Sequence, residues 1–204
     1  MNFIESIAPV ATILSGITAG VIIVSEDHRI RLGMLALQYI CVTSLVGLNL
    51  PANIAIIKLI SGWLACILLG VTIIQIGRNK KSVITGALPK GWVFKMIAVL
   101  LVSTSAIGIG TFRLFDILGI QRVSIASTVL LIGLGILQLG LTEQPIGVGM
   151  GLLTIMSGFE ILYSSLEPSL VVMALLASIH IGISMAVTII SIDVTGPEDS
   201  RISN

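Results

Sequence analysis

Seven long runs of this 204-residue chain contain no Asp, Glu, Lys or Arg: 6–25, 32–57, 59–77, 96–112, 123–142, 144–159 and 168–192. These runs limit the fold more than any other feature of the sequence. A helix crosses the hydrocarbon core of a bilayer with about 20 apolar residues. Charged residues make up only 10% of the chain, against about 25% in a soluble domain. A soluble fold of this size could not cover its surface with so few, which excludes a water-soluble enzyme. The net charge of +1 gives no signal for nucleic acid.

Breaks inside the runs refine the boundaries. GLNLPAN (47–53) holds two Asn and Pro51, a turn signal, and Pro51 suits the start of a new helix. Lys58 and Glu160 each interrupt a helix without ending it. The reading is all-α and polytopic, with helices at 6–25, 32–49, 52–77, 95–115, 122–142, 146–164 and 168–192. MNFIES lacks a basic leader, so the first helix is expected to be retained rather than cleaved. Cys41 and Cys66 both lie in apolar runs and read as small core hydrophobes. IGLGIL (132–137) and IGIGTF (107–112) read as close-packing glycines within helices rather than nucleotide loops.

Loop charges set an orientation. The side that receives the second, fourth and sixth turns plus the N-terminus carries only Arg113 and Arg122. The opposite side carries Arg29, Arg31, Arg78, Lys80, Lys81, Lys90 and Arg201, with Lys95 at its edge. Basic loops stay in the cytoplasm. The expectation is a multi-pass protein of the inner (plasma) membrane, N-terminus outside and C-terminus cytoplasmic.

A shift of 116 residues lays the second and third helices on the sixth and seventh without a gap. Gly33-Met34 then meets Gly149-Met150, and VTII (71–74) meets VTII (187–190). This suggests a parallel repeat, helices 1–3 and helices 5–7, joined by helix 4. The divisions are 1–94 (first unit and basic loop), 95–121 (connector), 122–192 (second unit) and 193–204 (polar tail).

Ionisable groups inside the membrane are costly, about 2.5–3.5 kcal/mol each on insertion scales, and usually face protein or a water path. Glu160 lies in SGFEILYSS (157–165), where Ser157, Tyr163 and Ser164 fall at i−3, i+3 and i+4. That stripe could hold a proton. For Lys58, two turns inside helix 3, desolvation and snorkelling to the membrane surface are both open. His180, near the centre of helix 7, could relay protons or be satisfied by a neighbouring helix. Ser178 is close to it in sequence but on another face. Glu167 reads as a cap at the seventh helix, and Glu26, Asp27, Asp116 and Asp193 as loop solvation.

The last three helices, and GFEILY (158–163) in particular, resemble subunit K of respiratory NADH–quinone oxidoreductase (chain 4L in mitochondria). The seven helices and the lysine-bearing third helix look more like membrane component E of hydrogenase-4; the C subunit of Mrp antiporters belongs to the same superfamily. The resemblance implies a subunit of the proton-conducting membrane arm, beside antiporter-like and other membrane subunits. It implies no cofactor bound by this chain, with the redox centres in other chains. Glu160 takes the place of the second helix's proton-path glutamate. The family's third-helix glutamate is not kept; its place falls near Ser178, with His180 two residues on, and Ile161 stands where component E often has Asn. Lys58 and His180 are the further relay candidates, with Ser157, Tyr163, Ser164 and Ser178 as the supporting polar face. Two rival readings are a stand-alone small transporter, with an aqueous cavity at the repeat interface, and a structural scaffold binding partner helices or lipid.

Overall fold

The computed structural model describes residues 3–78, 91–110, 121–166 and 169–195. They form seven helices: α1 (Phe3–Val24), α2 (His28–Val46), α3 (Ala52–Arg78), α4 (Trp92–Gly110), α5 (Arg122–Leu141), α6 (Pro145–Leu166) and α7 (Leu170–Thr195). All seven are long and apolar enough to cross a membrane. The protein is a polytopic helical membrane protein. Its outward surface is apolar, with Val10, Ile60, Leu101 and Val171 all exposed, as lipid-facing side chains should be. The basic loop 79–90, Arg113, Asp116, Glu167 and the polar tail from 196 lie outside the described residues.

The boundaries follow local chemistry. α2 begins four residues before the expected start because Asp27 caps it. Its carboxylate accepts the Arg29 amide at 2.8 Å. Asp27 is therefore a helix cap and not mere loop solvation. α2 stops at Val46, and the chain turns through 47–51. The Pro51 carbonyl accepts the Ile54 and Ala55 amides and opens α3.

α1 packs on α5, α2 on α6 and α3 on α7, so each helix of the first triplet touches its counterpart in the second. α4 lies against α5 and α1 and is the least buried of the seven. Two hydrogen bonds join positions that are 116 apart: Asn49 Nδ2 to Ser165 Oγ at 3.0 Å, and Thr72 Oγ1 to Thr188 Oγ1 at 2.8 Å. The two bonds sit at opposite ends of the bundle. They hold α2 level with α6 and α3 level with α7.

Glycine lets α5 and α6 approach closely. A Cβ on Gly135 would come within 2.9 Å of the Gly151 carbonyl, and one on Gly158 within 3.1 Å of the Ile132 backbone. Of the two glycine runs, Gly135 and Gly110 make close helix contacts, whereas a Cβ on Gly108 would meet nothing within 4 Å. Free Cys41 and Cys66 are both buried in the apolar packing.

Candidate functional site

Lys58, Glu160 and His180 meet in the interior. They come from α3, α6 and α7, and each side chain is almost wholly enclosed: 4%, 1% and 0% exposed. The Lys58 ammonium forms an ion pair with Glu160 Oε2. It also lies 2.9 Å from His180 Nε2. His180 Nδ1 is 2.9 Å from the Leu176 carbonyl and 3.5 Å from Glu160 Oε1.

These contacts fix the donors. A carbonyl can only accept, so His180 Nδ1 carries the hydrogen that Leu176 takes. In the neutral ring Nε2 then accepts from Lys58. Lys58 thus stands between two acceptors, a carboxylate and an imidazole. Its buried stem does not snorkel.

The three side chains enter the site from different depths. Glu160 and Lys58 are each six residues from the helix end at the α2–α3 and α6–α7 turns, about 9 Å at the usual helical rise. His180 is ten residues in, about 15 Å. At that depth a lone charge is expensive, whereas an ion pair with a third hydrogen-bonding group offsets the loss of water.

Tyr39 closes the site from α2. It is fully buried. Its ring meets the His180 ring edge-on, centroids 5.8 Å apart, and lies 4.8 Å from the Lys58 ammonium. A cation over an aromatic face is stabilised further when both are desolvated. Gly62, one turn from Lys58 on α3, makes room for this ring, since a Cβ there would come within 2.5 Å of it. The Tyr39 hydroxyl is enclosed and faces the Ser157 side chain of α6.

The three relay candidates converge, but their expected supporting face divides. Ser157 and Ser164 are buried on the Glu160 side of α6. Their hydroxyls donate to their own helix, to Leu153 at 3.0 Å and Ile161 at 2.8 Å. Tyr163 turns away and stacks on the exposed Phe159, centroids 6.4 Å apart. Ser178 is exposed, its hydroxyl on the Ala174 carbonyl. Two residues along a helix is about 200° of rotation, so Ser178 and His180 must face opposite ways. His180, not Ser178, brings α7 to the glutamate.

Tyr39 and Gly62 were not legible as site residues. A tyrosine beside Gln38 in an apolar helix was a signal, since the chain has only 2 tyrosines. Gly62 gave none.

An apolar cavity of about 500 Å³ lies elsewhere, between α1 and α4. Ile17, Val21, Val99 and Leu100 line it, a surface suited to hydrocarbon rather than ions.

Comparison with protein-family models, curated proteins and solved structures gave no match.

Proposed function

We propose that the chain is a proton-path subunit of a membrane oxidoreductase of the complex-I or hydrogenase-4 type, and that Lys58, Glu160 and His180 are its relay. One observation carries the reading. A carboxylate, an amine and an imidazole, from three separate helices, touch one another inside the membrane. All three titrate, and the Lys58 ammonium contacts both partners, so it can hand its proton to the Glu160 carboxylate or to His180 Nε2, leaving a neutral amine that can be reprotonated. A lone ionisable side chain would have nowhere to pass it. The resemblance around GFEILY names the kind of complex. On this reading the N-terminus lies outside, the C-terminus in the cytoplasm, and antiporter-like subunits flank the chain in the inner membrane.

The test is proton uptake by vesicles holding the whole complex, normalised to electron transfer. Glu160→Gln keeps size and hydrogen bonding but removes the titratable group. The expected result is normal assembly with a lowered proton-to-electron ratio. An unchanged ratio would leave the scaffold reading ahead. A purified chain that moves a solute alone would favour the transporter.

A further inference from the structure

A second buried charge lies at the opposite end of the bundle, where the α1–α2 and α5–α6 turns meet. Arg31 on α2 is only 7% exposed. Its Nε is enclosed without a hydrogen-bond partner, and the described residues supply the guanidinium with no ion pair. The acids of the two turns are otherwise placed: Asp27 caps α2, and Glu26 and Glu143 are exposed. A largely buried cation without a counter-charge among the described residues is disfavoured, so this corner favours an anion.

The surroundings say what kind of anion. Arg31 Nη2 reaches the first turn of α6, where it would be 3.1 Å from a Cβ built on Gly147. The Thr142 hydroxyl touches the same spot. The first hydrogen bond of α6 is Val148 N to the Gln144 carbonyl at 3.0 Å, so the Ile146 and Gly147 amides before it have no helical acceptor. His28, one turn before Arg31, adds an enclosed Nδ1 with no partner. A guanidinium fork, a hydroxyl and free amides at the positive end of a 22-residue helix form a donor set without an acceptor. Both helices start here, at one end of the apolar spans.

We infer that Arg31, Thr142 and the first turn of α6 bind a phosphate group, the headgroup phosphate of an anionic phospholipid or free phosphate. The tetrahedral anion takes the guanidinium on one side and the α6 amides on the other. It ties α2 to α6 at the end of the bundle remote from Glu160. This site stands independently of the proton-relay reading.

The experiment uses the full chain in detergent, with dioctanoyl phosphatidylglycerol and inorganic phosphate as separate probes. Native mass spectrometry reads stoichiometry, and the thermal midpoint reads stabilisation. The expected result is one bound probe per chain and a raised midpoint. The lipid alone acting identifies a headgroup site, and inorganic phosphate acting as well identifies a general phosphate site. Arg31→Gln should weaken binding at least tenfold, and Arg31→Lys less. The inference is overturned if neither probe binds or stabilises the unaltered chain, a result that needs no variant to fold. It is equally overturned if Arg31→Gln binds like the parent, or if a partner subunit's carboxylate occupies Arg31 in the assembled complex.

Discussion

Lys58 donates to a carboxylate and to an imidazole at once, so each of the three groups depends on the other two. Removing one leaves a buried group without its partner. Lys58→Met should therefore destabilise the purified chain by about 3–5 kcal/mol, the usual penalty for breaking a buried pair. Lys58→Met combined with Glu160→Leu should cost clearly less than the sum of the single changes, because no charge is then stranded. Thermal midpoints of the four chains in one detergent make the cycle, and additive losses would deny the coupling. Gly62→Ala tests the tyrosine wall. Its methyl collides with the Tyr39 ring, so a loss of about 1–3 kcal/mol is expected from overpacking. Stability equal to the parent would mean that the ring moves freely. At this scale the sequence offered the three titratable residues but not their meeting. A buried lysine and a snorkelling lysine have the same sequence neighbours, and only the packing of α7 on α3 and of α6 on α7 decides between them. Asp27 was a different failure: loop acid and helix cap differ by a single hydrogen bond.

The helices themselves were legible because each apolar run is bounded by a charge or a turn signal, and charges are rare enough to mark the ends. The α2 start shifted by one turn only because its cap lies among charged residues that read as loop. What the runs could not show is which glycines touch a neighbour. Gly135 and Gly182 both sit in apolar helices. Gly135 faces the Gly151 carbonyl and Ile155, whereas a Cβ on Gly182 meets nothing within 4 Å. Gly135→Ala should thus wedge α5 from α6 and lower the thermal midpoint. Gly182→Ala should leave it equal or raise it, by about 0.5–1 kcal/mol for a helix-interior glycine. Equal effects of the two changes would contradict the α5–α6 contact.

At the scale of the whole molecule, each helix of the first triplet lies against its counterpart in the second, and α4 stands to one side. The bonded pairs Asn49–Ser165 and Thr72–Thr188 have the same 116-residue offset as the sequence alignment, although the alignment itself foretold no contact between them. It could not anticipate the site, which breaks the repeat: the counterparts of Lys58, Glu160 and His180 are Ala174, Ser44 and Leu64. Seven crossings would put the termini on opposite sides, and the proposed orientation, with the C-terminus in the cytoplasm, rests on the loop charges. A cysteine added at the C-terminus should react with an impermeant reagent only in inverted vesicles; labelling in intact cells would reverse the orientation. The central claim is that Glu160 exchanges its proton within the cluster while the complex works. Infrared difference spectroscopy of the assembled complex, resting against turning over, sees that directly as a protonated-carboxyl band. The band should appear or vanish on turnover, be absent in Glu160→Gln, and respond more slowly in His180→Phe. A turnover spectrum in which no carboxyl band depends on Glu160 would contradict the relay.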